Sequence, residues 1–272
     1  MNIKWWMCAV LMIFRASWVC GQTPCPVDNT SFNSGEEFHY KVIYNWGAIW
    51  IESAESRFTV SPALVRGRTC YHLSGSGFTY PKYSWIYKVK DDFESFVDSS
   101  TFRPLRFKAD IHEGGKHEKH DYFFNNLTRK VYTSIQRGKE AIKVDSLNIG
   151  SCTVDVLTAI YFARNLDYSK CKVNDTISMS LLLDNKLYPI YIRYLGKAVY
   201  DGKELGRFNC IKFSPLLVEG TIFRGGEGMT VWVSDDRNKM PLFVETPIIV
   251  GTIKVLLIDF KGLRNPVDSR IK

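Results

Sequence analysis

The chain carries none of the short motifs that announce common chemistries. There is no G-x-S-x-G elbow, no H-E-x-x-H, no P-loop and no dinucleotide fingerprint, and "RGGEG" at 224–228 is only a flexible turn. None of the cysteines forms a C-x-x-C pair, which excludes a zinc ribbon and a thioredoxin-like redox centre. With five histidines in all, nucleophile-and-base arrangements are hard to assemble. No block of like charge marks a nucleic-acid stripe, because clusters such as "KVKDDFE" and "GGKHEKHD" are mixed in sign. No fixed-period repeat is present. These absences weigh against an enzyme, give no reason to expect a cofactor, and exclude nucleic acid as a partner.

What is present begins with a three-part N-terminus: early Lys4, ten apolar residues from Trp5 to Phe14, then a stretch ending Val19-Cys20-Gly21. That layout predicts a secretory signal peptide, residues 1–21, cut after Gly21. Arg15 interrupts the apolar run well short of the roughly 20 residues a membrane span needs. A mature chain 22–272 is therefore expected to be no integral membrane protein. Lipid modification at Cys20 is the alternative, although Val19 is bulky for such a site. Loss of Lys4 and Arg15 leaves 34 basic residues against 28 acidic, a formal +6. Cys25, Cys70, Cys152, Cys171 and Cys210 remain; their pairing is open. A Cys152–Cys171 bridge is disfavoured, since a helix about 21 Å long would separate the two. Cys70 and Cys210, inside apolar strand patterns, read as buried thiols.

From residue 36 onward the pattern has period two, as in "EFHYKVIYNW", "LRFKADIHE" and "FNCIKFSP". Alternation with one wet face predicts antiparallel strands joined by short turns. One segment differs: "TVDVLTAIYFARNLDYS" places Val156, Leu157, Ile160, Tyr161 and Ala163 on one side of a helix near 153–166. Thr153 would be its N-cap, Asp155 would lie in its first turn and Arg164 near its last. The expected fold is mostly β: an antiparallel meander of about sixteen strands in a curved sheet, a barrel or two packed sheets, with one amphipathic helix. The mature chain is a single domain whose halves, near 30–150 and 172–262, are joined by that helix. The tail "RNPVDSRIK" reads as loose.

Three clusters are candidates for a site. In "DIHEGGKHEKHD", a two-residue Gly114-Gly115 turn pairs Glu113 with Lys116 and His112 with His117. Opposed imidazoles can share a metal ion, with Asp110 on the same face and His120 on the other. Two histidines alone make an incomplete site, and the strand pair reads as a solvated edge, so no metal is assigned. In "VWVSDDRNKMPLFVE", Asp235 and Asp236 sit at the polar tip of a hairpin, with Asn238 suited to a left-handed position. Aromatics form the third cluster. Trp46, Trp50, Tyr80, Tyr83, Trp85 and Tyr87 gather near two connectors, and Trp232 comes late; Trp46, Trp50, Tyr80, Trp85 and Trp232 are the candidate ligand-binding residues if the sheet encloses a cavity.

Six pieces in order, from "GEEFHYKVIYNWGAIWIESAESRF" through "SWIYKVKDDFESFVD", "RPLRFKADIHEG", "VDVLTAIYFARNLD" and "YIRYLGKAVYDGKELGRFNCIKFSP" to "VWVSDDRNKMPLFVETPIIVGTIKVLL", resemble the exported bacterial family catalogued as domain of unknown function 3108. The resemblance implies export to the periplasm or outer envelope of a Gram-negative bacterium and one β-rich unit. It supplies no activity, cofactor or catalytic residue. Glu52-Ser53 stands where a glycine is expected, so the turn after the first hairpin is expected to differ. Two function classes follow: a non-catalytic binding or carrier module for a lipid-like or glycan ligand, or an envelope assembly or interaction factor. A hydrolase would require one of the polar clusters to face a cleft.

Overall fold

The computed structural model describes residues 25, 27–85, 87–219 and 225–272. The expected signal peptide, with Cys20, lies outside them, and so does the side chain of Trp46.

The period-two segments form sixteen strands of one sheet. The first arm runs β1 (Glu37–Trp46), β2 (Ile49–Val65), β3 (Arg68–Thr79), β4 (Val89–Asp98), β5 (Pro104–Glu113), β6 (Lys116–Asn125), β7 (Lys130–Arg137) and β8 (Lys143–Asn148). After β9 (Thr153–Val154) and helix α1 (Val156–Arg164), the second arm runs β10 (Thr176–Leu183), β11 (Lys186–Asp201), β12 (Arg207–Pro215), β13 (Thr230–Ser234), β14 (Pro241–Pro247) and β15 (Thr252–Lys261). Strand β16 (Arg270–Ile271) pairs with β12. Neighbours in sequence pair antiparallel along each arm, and the arms join where β1 pairs β15. The first strand thus lies mid-sheet. Among the described strands, only β9–β10 is parallel.

Register slips at His39/Tyr40, Val42/Ile43 and Trp232/Val233 mark bulges, which bend and twist a sheet. Ser53, expected near a turn, is instead the extra residue of the bulge opposite Val42 and Ile43, inside β2. The sheet curls until α1 touches β3 and β4 on one arm and β10 on the other. Enclosure explains why α1 is buried almost all round, including Thr158, Phe162 and Arg164, rather than along one stripe. The helix is shorter than expected, and its N-cap is Asp155, which accepts from Thr158 N at 2.8 Å. Thr153 belongs to β9, because its backbone pairs with Ser180.

Cys25 bonds Cys152, so Cys152 is not available to Cys171; Cys70 and Cys210 are buried free thiols. The tail is not loose. Asn265 N donates to Asn238 Oδ1, Ser269 Oγ donates to Asp236, and Val267 packs beside a second core of Phe38, Phe208, Met240 and Leu242. Its polar composition supplies these backbone partners, which composition alone reads as solvent exposure. No described helix is long and apolar enough to cross a membrane, which says nothing of strands.

Candidate functional site

Between the arms and beside α1 lies a cavity of about 960 Å³. Alternation on β1 turns Phe38, Tyr40, Val42 and Tyr44 towards it. Ile51 and Phe58 come from β2, Val231 and Val233 from β13, Ile253 and Val255 from β15, and Ala159, Ile160, Tyr161 and Arg164 from α1. Exposure rises along β1 from buried Phe38 and Tyr40 to half-buried Val42 and Tyr44. The mouth therefore lies at the end bearing the β1–β2 turn, the β3–β4 connection and the β14–β15 turn, where exposed Phe78, Ile249 and Val250 belong to the wall. Small side chains keep the space open: Ala54, Ser56, Gly77 and Ala159 stand where a packed core would carry larger ones.

The inner end holds a buried ion pair. Arg164 donates to Glu36 through Nη1 at 2.6 Å and Nη2 at 2.8 Å, and to the Asn238 carbonyl through Nε and Nη2. Both side chains are almost wholly out of water, at 2% and 0% exposure. Burial opposes the guanidinium charge, but the Glu36 carboxylate outweighs it and holds Arg164 protonated. Phe32, Phe38 and Tyr161 offer ring faces to the cation, with centroids 5.4, 5.0 and 5.3 Å away. Tyr161 lines the cavity, and its buried hydroxyl has no hydrogen-bond partner. Burial, with the Glu36 charge, pushes its pKa up. A neutral O–H facing an apolar space can serve a polar atom of a ligand.

Nearer the mouth the polar groups are acidic. Asp91 is buried, and burial together with the neighbouring Glu113 raises its pKa to about 7 against the opposing hydrogen bond from His112 N at 2.9 Å. Tyr80 Oη donates to Glu55 at 2.7 Å. Glu55, Asp91 and Glu113 all line the wall.

The sequence-predicted aromatics fall in three places. Trp50, Tyr80 and Trp85 stand at the mouth end but outside the cavity wall; Trp50 and Trp85 are 54% and 82% exposed, and Lys254 Nζ lies over the Trp50 ring. Trp232 lies on the opposite face from Val231 and Val233, between Lys212 and Phe243. Trp46 ends β1, and its side chain is outside the described residues. Tyr83 and Tyr87 are in the wall. The principal lining residues Phe38, Tyr40 and Tyr161 were not singled out as ligand-binding, although the alternation in "EFHYKVIY" and the helical spacing carried the signal.

Asp235 and Asp236 sit at a hairpin tip. Asp235 pairs with Lys197 at 2.7 Å; Asp236 accepts from Ser234 Oγ, Asn238 N and Ser269 Oγ. The left-handed position falls on Lys239, with φ +42°, rather than on Asn238, whose side chain is buried against the tail. His112 and His117 pair across a turn in which Gly114 and Gly115 have φ +54° and +87°. Their hairpin is no edge, because β7 and β8 lie outside β6.

One arrangement was missed. Ser61 Oγ lies 3.3 Å from His72 Nδ1, and His72 Nε2 lies 2.9 Å from Glu94, a serine–histidine–carboxylate line. It crosses the ladder of β2, β3 and β4, where backbone N–H groups are engaged in pairing, so no oxyanion donors stand free beside Ser61. Cross-strand register brings the three together, and no local spacing reveals it.

No curated protein matches the chain. Among solved structures, the chain is similar to a crystal structure of a β-barrel-like protein of domain of unknown function DUF1849 from Brucella abortus, with TM-score 0.52 and 9% identity over 86% of this chain and 99% of that one. That likeness is one of fold. The family model described as Protein of unknown function (DUF3108) matches residues 39–258, most of the described strands and the whole of α1, and the chain belongs to that family.

Proposed function

We propose that this protein is an exported, non-catalytic binding or carrier module of the Gram-negative envelope, which takes a lipid-like ligand into the cavity between its arms. The apolar cavity of about 960 Å³ carries the reading. The cavity opens at its mouth, so without a ligand its contents are water in exchange with solvent. Water fills it poorly, because few wall atoms are polar, and each methylene that displaces water gains about 0.8 kcal/mol. About ten methylenes supply ~8 kcal/mol, the micromolar scale before ordering costs. A glycan would need more polar partners than this wall offers. Export is supported by the signal-like N-terminus and by the Cys25–Cys152 disulfide, which suits an oxidising compartment.

A second reading, an envelope interaction factor, is favoured by the exposed Trp50, Trp85, Ile249 and Val250 near the mouth. Native mass spectrometry of residues 22–272 purified from a periplasm, followed by solvent extraction, separates the two. A co-purifying lipid that is lost or reduced in Ala159→Trp, which narrows the cavity beside α1, is the expected result. A clean unliganded mass, together with no uptake of a fluorescent fatty acid, would refute the carrier reading and leave the rim as an interaction surface.

A further inference from the structure

The polar face of the β5–β6 hairpin carries a constellation unconnected with the cavity. The glycine turn fixes the register so that His112 and His117 are directly opposed, and their rings stack with centroids 3.9 Å apart. In a two-residue hairpin this is the non-hydrogen-bonded pair, the closer of the two kinds. Asp110, two residues before His112, shares the face. Nε2 of His112 lies 2.9 Å, and Nε2 of His117 2.7 Å, from the same oxygen, Asp110 Oδ1. All three side chains are about two-fifths exposed.

We propose that Asp110, His112 and His117 form a surface site for one divalent transition-metal ion of the zinc–copper class. Two imidazole nitrogens and one carboxylate oxygen are the donor set that zinc and copper prefer, and they leave open positions towards water. The three ligand atoms lie within 4.8 Å of one another. Around zinc, with ligand distances near 2.1 Å, tetrahedral neighbours stand about 3.4 Å apart, so a few tenths of an ångström of outward rotation admits the ion. Magnesium and calcium, which want oxygen ligands, are excluded.

The site's charged neighbours lie on β4 and β6. Lys119 Nζ sits 3.5 Å from Asp110, on its other oxygen, Oδ2. In register, Lys90 and Asp92 of β4 stand opposite His112 and Asp110, one charge of each sign. A second trio, Glu118, His120 and Asp184, also converges, but Arg137 already lies among its carboxylates at 3.0 and 3.3 Å. A guanidinium fills that trio as a metal would. Among the described residues, the ion pairs at Asp110 Oδ1 are those of the two imidazoles, and Lys119 lies on the other oxygen.

The test uses the untagged mature chain. Calorimetric titration with zinc chloride and copper(II) chloride, with an excess of magnesium present, is expected to show one equivalent bound at micromolar concentration or tighter. His112→Gln and His117→Gln, shown folded by circular dichroism, are each expected to weaken binding at least about tenfold, while His120→Gln leaves it unchanged. The glutamine variants keep a polar side chain on the hairpin, so loss of binding is not confused with loss of fold. Absence of saturable binding up to millimolar metal would overturn the proposal and leave two hydrogen bonds to Asp110. Binding that survives removal of both histidines, or that follows His120 instead, would overturn it equally.

Discussion

Replacing Arg164 by methionine should be among the most damaging single changes in the chain. It removes both donors from the Glu36 carboxylate, which is 0% exposed, and both donors from the Asn238 carbonyl. Leaving a buried charge unpaired costs about 3–5 kcal/mol, whereas a shape-matched apolar replacement of both partners is close to neutral. In equilibrium urea unfolding at neutral pH, at a slope near 3 kcal/mol/M, the Arg164→Met midpoint should fall by roughly 1–1.5 M with little change in slope. Glu36→Leu alone should cost a similar amount. The double variant should recover most of the loss, so that its cost falls well below the sum of the two single changes. A fall below ~1 kcal/mol in Arg164→Met would refute the reasoning, because it would mean that water in the cavity already reaches and hydrates Glu36. A double variant as unstable as the sum of the singles would refute it as well, by showing that the side chains contribute independently.

Asp91 titrates near pH 7 in the folded chain, above its ordinary range, because it is buried and faces Glu113. A raised folded pKa means that its contribution is whole below the unfolded value, near 4, and is lost as pH rises through about 7. Asp91→Asn keeps an acceptor for His112 N, so it should raise stability by about 1–3 kcal/mol at pH 8 and change little at pH 4, in thermal melts at the two pH values. An equal effect at both would rule out the burial argument. Gly114→Ala should cost about 1–3 kcal/mol, since a β-carbon there would lie 2.7 Å from the Tyr87 ring at φ +54°; an unchanged urea midpoint would show that the ring yields freely.

The fold was legible where the signal was local. Period-two alternation locates the strands, and the Gly114-Gly115 turn alone sets register closely enough to pair His112 with His117. The helix was placed, but not its surroundings. Spacing suggests one buried face because a sequence window cannot show that both arms close around it, and it places Arg164 only as a cation near the helix end, with no sign that it is a core residue. The sequence allows a cavity only as one outcome of curling, beside ordinary core packing, and offers the conspicuous aromatics as its candidate lining. Which face Trp50 and Trp232 take depends on the bulges at Val42/Ile43 and Trp232/Val233, because a one-residue slip inverts a strand's faces, and Trp85 lies in the connection between β3 and β4 rather than in a strand. Ser61, His72 and Glu94 come together only through three-strand register, which no single hairpin specifies.

The polar residues that stand out in the sequence without forming any catalytic motif have a common physical reason. Apolar packing joins both arms and α1 in one core, but directly across the open space it is interrupted, and there buried polar contacts help to set the spacing of the arms. Arg164 does this at the inner end: one guanidinium joins the helix to Glu36 before β1 and to the Asn238 carbonyl between β13 and β14, while the Asn238 side chain holds the tail at Asn265 and Pro266. At the other end of α1, buried Asp155 accepts from Ser95 of β4 as well as from Thr158, which fixes the helix to the first arm. Such buried pairs add little net stability compared with apolar packing, but they are costly to satisfy in any other geometry. Buried polar residues that belong to no catalytic motif thus hold the helix, the arms and the tail in one arrangement around the cavity.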